Sequence, residues 1–249
     1  MARLQGKVAV VTGASKGIGA GIAKALAAEG AATVVNYASS AEGAERVVRE
    51  IEEAGGRAVA IRADVGQAGE VEHLFAETKR LFGAVDVLVN NAGVYRFATI
   101  DEFSEAEYRR QFDTNVLGLL LATQQAVRQF GPEGGSVINI GSAATELAPP
   151  STAIYTATKA AVASITQVLS KELGPRRIRV NTIAPGVVVT EGVHTLGLIG
   201  SDMERDMVAR TPLGRTGQPE DIAPLAVFLA SPESRWITGE VIVASGGLR

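Results

Sequence analysis

Short apolar runs bounded by polar or glycine-containing turns alternate along this chain with stretches of helical apolar period. The runs Val8–Thr12, Thr33–Tyr37, Ala58–Arg62, Val85–Asn90, Ser136–Gly141, Arg179–Ile183 and Glu240–Ala244 predict buried strands. The stretches Ile18–Glu29, Ala41–Ala54, Ala68–Phe82, Ser104–Phe130, Ala153–Leu173, Ser201–Arg210 and Pro219–Ala230 predict helices. Alternation of this kind predicts a parallel sheet covered by helices on both faces, since each parallel connection must cross over the sheet. Gly55-Gly56, Gly134-Gly135 and Gly174-Pro175 mark helix-to-strand returns, where glycine accepts a left-handed cap. No composition break, linker or repeat divides the 249 residues, so one α/β domain is expected.

In such a sheet, ligands bind beyond the carboxyl ends of the strands. The glycine turn Thr12-Gly13-Ala14-Ser15-Lys16-Gly17-Ile18-Gly19, Asp64, Asn90, Ser142 and Pro185 all follow predicted strand ends and should converge on one crevice. A glycine turn between a strand and an Ala-rich helix lets backbone amides cradle a pyrophosphate. Its spacing is Gly-x-x-x-Gly-x-Gly rather than the common Gly-x-Gly-x-x-Gly. Tyr155 and Lys159 stand i, i+4 on a predicted helix, so an ammonium can lie beneath a phenol. A nearby positive charge favours the phenolate, which suits general acid–base work.

Composition narrows the chemistry. The net charge is −3, from Lys+Arg 24 against Asp+Glu 27, with no basic block for nucleic acid or an anionic membrane. The absence of cysteine removes disulfides, thiolate catalysis and Cys-based metal sites. His73 and His194 are the only histidines and lie far apart, so no metal site is expected. The chain opens Met1-Ala2-Arg3-Leu4-Gln5-Gly6 without a signal-peptide core, and no run is long enough to span a bilayer. A cytoplasmic protein is expected.

Together, Thr12–Gly19, Asp64-Val65, Asn90-Asn91-Ala92-Gly93, Asn115, Ser142, Tyr155/Lys159 and Pro185-Gly186 followed by Thr190 resemble the compact, single-domain branch of the short-chain dehydrogenase/reductase family. The resemblance spans essentially the whole chain. It is similar to 3-oxoacyl-acyl-carrier-protein reductases and to secondary-alcohol dehydrogenases or ketoreductases. The resemblance implies a Rossmann-like, doubly wound, seven-stranded parallel sheet in a single domain, a nicotinamide cofactor, and a ketone or secondary alcohol as the small-molecule substrate. In the reducing direction, hydride passes to the carbonyl carbon while Tyr155 gives a proton to the oxygen. Ser142 would hold that oxygen. Lys159 would depress the Tyr155 pKa and hold the nicotinamide ribose. Asn115 would position a water relaying protons to Lys159, with a buried structural amide as its other reading.

For the cofactor, the resemblance implies Gly13, Ser15, Lys16, Gly17, Ile18 and Gly19 at the glycine turn, and Tyr37, Ala38, Ser39 and Ser40 after the second strand. Asp64 would accept from the adenine amino group, or serve as a turn carboxylate; Val65 would pack the adenine ring. Asn91, Ala92 and Gly93 would approach the adenosine ribose. Pro185, Gly186, Val188 and Thr190 would reach the carboxamide end. Sites for NAD usually place an Asp or Glu at the end of the second strand. Here that end reads Asn36-Tyr37-Ala38-Ser39-Ser40, with Glu42 further on. Lys16 and the serines therefore favour NADP(H), with NAD(H) as the alternative.

Substrate candidates are Ser142, Ala144, Leu147, Tyr155, Val187, Gly192 and Leu196. The segment 186–217 matches the family's lid and holds Gly192, Gly197 and Gly200, with Val193, Leu198, Ile199 and Met207. Glu146, Tyr95 and Trp236 would line either the pocket or subunit contacts. The ending Ala244-Ser245-Gly246-Gly247 departs from the family's more frequent Val-Asp-Gly-Gly. Segments Ser104–Phe130 and Ala153–Leu173 are apolar over more than one stripe, which predicts burial on more than one side. The resemblance implies a homotetramer. Arg128, Arg176, Arg177 and Arg179 would suit an acidic carrier protein. The competing readings are an NAD-dependent secondary-alcohol or sugar dehydrogenase and a non-catalytic dinucleotide sensor. The full set Asn115, Ser142, Tyr155 and Lys159 favours the enzyme, since a sensor needs no proton donor.

Overall fold

The structure, a computed structural model, describes residues 2–192 and 200–248. Seven strands, β1 (Val8–Val11), β2 (Ala32–Tyr37), β3 (Arg57–Arg62), β4 (Val87–Asn90), β5 (Gly135–Ile140), β6 (Ile178–Pro185) and β7 (Val241–Ala244), form one sheet in the order β3-β2-β1-β4-β5-β6-β7. Every neighbouring pair is parallel. The expected α/β class and strand count are therefore met. The winding reverses between β1 and β4, and that switch point opens a crevice beyond the strand ends.

The described helices include α1 (Gly17–Ala28), α2 (Ala41–Glu53), α3 (Ala68–Phe82), α4 (Glu105–Phe112), α5 (Gly118–Gln129), α6 (Ala144–Leu147), α7 (Ala153–Leu173), α8 (Asp202–Arg210) and α9 (Pro219–Ala230). Period-two alternation divides the strand side chains between two cores. Ala9, Val11, Val89, Ile138 and Ile140 face Ile22 and Leu26 of α1, Val47 of α2 and Ile222 of α9. Val10, Leu88, Val137 and Val180 face Leu74 and Phe75 of α3, Ala122 of α5 and Leu173 of α7. Among the described residues, no helix is long and apolar enough to cross a membrane.

A buried polar chain crosses the middle of the sheet. Asn90 Nδ2 donates to Thr123 Oγ1 (3.0 Å) and Asn139 Oδ1 (2.9 Å), and Asn139 Nδ2 donates to Thr166 Oγ1 (2.8 Å). Thr166 Oγ1 also lies 2.7 Å from Thr182 Oγ1. These bonds tie α5 and α7 to the sheet directly below the crevice, in surroundings where an unmade bond costs about 1–3 kcal/mol.

Two sequence expectations need correction. Ser104–Phe130 is not one α-helix: a π-turn over Asp113–Leu117 interrupts it, with Gly118 N donating to Asp113 O. The extra residue rotates Asn115 inward, where its carboxamide finds partners that regular α-geometry would not reach. At the third helix-to-strand return, Gly174 is right-handed and begins a 3₁₀ turn, and Arg177 takes the left-handed position at φ 58°.

Candidate active site

The glycine turn follows β1 directly, and Gly13 adopts φ 61° and Gly17 φ 57°. Asn36 of β2 anchors it: Oδ1 accepts from Gly13 N at 3.1 Å, while Nδ2 donates to the carbonyls of Ile61 and Ala63. Asn91 anchors it from the other side, donating from Nδ2 to Thr12 O and Gly13 O, both at 2.9 Å. A Cβ at Gly19 would lie 2.3 Å from Asn91 Nδ2, and one at Gly13 would lie 2.8 Å from Ala92 Cα. These glycines and Asn91 thus serve close packing across the switch point.

The N-cap residue Lys16 makes no side-chain cap bond, and the first turn of α1 holds no acid. The positive dipole end of such a helix favours an anion. An open cleft of about 330 Å³ runs beside that terminus, lined by Lys16, Gly17, Lys24, Arg46, Val189 and Thr190 among others. Ile18 packs partly into the core, Ser15 is buried, and Lys16 is exposed. A Cβ at Gly43 would lie 2.7 Å from Ser40 Oγ and 2.8 Å from Ser15 O, so the α2 terminus sits directly against the glycine turn. Tyr37, Ala38, Ser39 and Ser40 follow at that end, and Arg62, which sequence reasoning passed over, is exposed and in register with Tyr37. A helix terminus after a glycine turn, with hydroxyls and cations beside it, fits a pyridine dinucleotide.

Two expected adenine contacts look different in the fold. Asp64 makes a turn, accepting from Gly66 N at 2.9 Å through Oδ1, while its own N–H donates to Glu70 Oε2. Val65 points into the core: it is buried, and a Cβ at Gly118 would lie 2.7 Å from its Cγ2.

The proton-transfer candidates do come together. Ser142 follows β5, and its Oγ accepts from Ala144 N at 3.1 Å, which leaves the hydroxyl proton free. Ser142 neighbours the Tyr155 phenol and stabilises its charged form. Burial raises the Tyr155 pKa above its usual 10.0, Ser142 works the other way, and neighbouring Tyr95 raises it further. Tyr155 is thus a neutral phenol at pH 7, although its ring keeps partial access to the crevice. Lys159 is 6% exposed and donates to Ile140 O at 2.8 Å. Burial lowers its pKa from 10.5 to about 8.

Lys159 is not among the groups that shift the Tyr155 phenol. The ammonium lies 5.8 Å from the Tyr155 ring centroid and is turned toward a carbonyl, and desolvation favours the neutral form of both groups. Asn115 is 2% exposed. Its Oδ1 accepts from Val94 N at 2.8 Å, and its Nδ2 donates to Val94 O (2.9 Å) and Thr158 Oγ1 (3.0 Å). Three of the four hydrogen-bonding positions of the side chain are thus taken by protein groups. Gly93 adjoins both groups: a Cβ there would lie 3.4 Å from Asn115 Oδ1 and 3.6 Å from Lys159 Nζ.

Of the substrate candidates, Ala144 and Leu147 lie on α6, just after Ser142, and both are partly buried. Gly192 packs on Tyr95, where a Cβ would lie 2.4 Å from the hydroxyl. Val187 accepts from Gly217 N through its carbonyl, and Val188 is buried. Pro185 ends β6, Gly186 abuts Ser245, and Thr190 lies against Gly17. Leu196, with Val193, Gly197, Leu198 and Ile199, lies outside the described residues. Sequence reasoning missed Phe97, which stacks on Tyr95 beside Tyr155. The signal available was the cluster Tyr95-Arg96-Phe97 just past Asn90-Asn91-Ala92-Gly93.

A doubly wound sheet with a glycine turn at its switch point and a buried Tyr/Ser/Lys group defines a dinucleotide-binding class. Residues 13–249 match the family model described as enoyl-(acyl carrier protein) reductase. An uncharacterized oxidoreductase of Methylorubrum extorquens is 60% identical over 249 residues, covering 100% of both chains. A hydroxynaphthalene reductase-like protein of Metarhizium brunneum is 40% identical, over 98% of this chain and 95% of its own. A Burkholderia cenocepacia short-chain dehydrogenase, solved in complex with NADP, superimposes with a TM-score of 0.92 at 38% identity, covering 99% of each chain. The chain belongs to the short-chain dehydrogenase/reductase family. It is an NAD(P)-dependent oxidoreductase acting on CH–OH or carbonyl groups.

Proposed function

We propose that this protein reduces a ketone, a 3-oxoacyl thioester or another carbonyl, to a secondary alcohol with NADPH. The observation that carries the reading is Tyr155 beside Ser142 at the strand ends, with Lys159 buried one helical turn on and bonded to Ile140 O. When bound, the nicotinamide supplies hydride. Tyr155, held neutral by burial, donates the proton to the carbonyl oxygen. Ser142, with Oγ fixed by Ala144 N, directs its own proton at the same oxygen and stabilises the charge developing there. Lys159 returns positive charge to the phenolate left behind. The name of the Metarhizium relative, a hydroxynaphthalene reductase-like protein, supports the reducing direction.

NADP(H) is favoured because β2 ends without a carboxylate and Lys16, Ser39 and Ser40 stand at the same end. The NADP complex of the Burkholderia relative supports the same choice. Gly13, Ser15, Gly17, Ile18 and Gly19 would hold the pyrophosphate. Asp64 retains Oδ2 for the adenine, and Thr190 would meet the carboxamide. Residues 186–217 would form a lid over the substrate. Assembly as a homotetramer is supported by exposed apolar faces on α5 and α7, described below.

The test is Tyr155→Phe, which keeps the ring and removes the proton donor. Turnover should fall about 10²–10⁴-fold while NADPH binding, followed by nucleotide fluorescence, is retained. Near wild-type reduction of the best substrate by this variant would refute the mechanism.

A further inference from the structure

Tyr95, Phe97 and Tyr155 form a three-ring corner at the crevice. Tyr95 and Phe97 stack with centroids 5.6 Å apart and planes 23° from parallel. Tyr155 meets both edge-on, at 6.0 Å and 76° from Tyr95 and at 6.1 Å and 67° from Phe97. Tyr95 is half-buried and covered by Gly192, whereas Phe97 is 46% exposed.

The segment carrying these rings has no regular secondary structure, yet it is tied down at almost every residue. Asn115 holds both polar groups of Val94, Arg110 Nη2 donates to Tyr95 O at 3.2 Å, and Gln111 Nε2 donates to Arg96 O at 3.3 Å. Ala98 N donates to Ser151 O at 2.8 Å. Four side-chain or backbone clamps therefore present an exposed phenyl beside the proton donor in a fixed orientation. Such preorganisation lowers the ordering cost of binding a flat partner.

We propose that Phe97, backed by Tyr95, is a specificity-determining platform that selects carbonyl substrates bearing a planar aromatic ring. A ketone fused to an aromatic ring meets two demands together: its oxygen reaches Tyr155 and Ser142, and its flat face lies against a phenyl. Aromatic faces stack in offset or edge-on geometry more favourably than puckered saturated rings of equal size. The inference deepens the ketone-reductase reading and rests on it for the position of the oxygen.

The experiment compares 2-tetralone with 2-decalone, ketones of the same bicyclic skeleton that differ in aromaticity. Both are assayed with NADPH for turnover and by calorimetry for binding, in wild type, Phe97→Leu and Phe97→Tyr. The wild type should prefer 2-tetralone about tenfold in kcat/KM, Phe97→Leu should erase most of that ratio through KM, and Phe97→Tyr should restore it. Turnover of both ketones without preference, or a ratio unchanged by Phe97→Leu, overturns the platform and leaves the reductase reading intact. Phe97-dependent binding of 2-tetralone without turnover of either ketone upholds the platform and sinks the reductase reading instead.

Discussion

The Lys159 ammonium donates to the main-chain carbonyl of Ile140 at 2.8 Å, at the end of β5 and beneath the crevice. This bond satisfies one proton of a buried cation and leaves most of the desolvation cost uncompensated, which is why its pKa falls from 10.5 to about 8.

That shift has a sign in stability. Below pH 8 both folded and unfolded chains carry the proton. Between pH 8 and 10.5 the unfolded chain still holds it while the folded chain has released it, so stability rises with pH across that window. The lysine therefore costs folding about 3 kcal/mol at neutral pH. Urea unfolding of wild type and Lys159→Met should show the wild type gaining about that much relative to the variant between pH 7.5 and 10.5. A difference that stays flat with pH would contradict the buried-cation account.

Asn115 should be a structural clamp for the crevice wall. Asn115→Leu keeps the volume and strips three hydrogen bonds from Val94 and Thr158. A loss of about 3 kcal/mol in unfolding free energy is expected, with faster hydrogen exchange at the Val94 and Ala98 amides. Unchanged exchange there would show that the segment is held by something else.

Cofactor choice is testable at the end of β2. kcat/KM should be higher with NADPH than with NADH, and Lys16→Ala should narrow the gap. Tyr37→Asp should move preference toward NADH by supplying an acceptor for a ribose 2′-hydroxyl. A clear NADH preference in the wild type would sink the assignment.

The assembly prediction rests on apolar surface. Leu117 and Leu120 near the start of α5 are exposed, as are Ala157, Ala160 and Val168 of α7, Val168 to 60%. Leu213 and Trp236 are exposed as well, the latter to 96%. The edge strand β7 has no residue fully buried, unlike β1 or β4. Surfaces of this kind mark contacts between chains, and helix faces together with an edge strand fit a tetramer with two-fold axes. Light scattering should give four times the 25.8 kDa chain mass, and Val168→Glu should reduce it. An active monomer would refute the claim.

The sheet, its helical layers and the glycine turn were determined by the sequence itself, because strand alternation, helical period and left-handed glycine are local properties. The spacing of Tyr155 and Lys159 was legible for the same reason: one helix places i and i+4 on one face. Tertiary structure alone decided what those groups experience. Whether the Tyr155 phenol is pulled down by an ammonium or pushed up by burial depends on packing from β5, α7 and the segment holding Tyr95, which no spacing encodes. Likewise, the π-turn at Asp113–Leu117 was hidden in a helical period, since one inserted residue leaves that pattern nearly intact. Val65 turning into the core, Asn91 anchoring the glycine turn and Phe97 reaching Tyr155 are meetings of distant segments. Burial and hydrogen-bond satisfaction are set by which neighbours arrive, and only the folded chain supplies them.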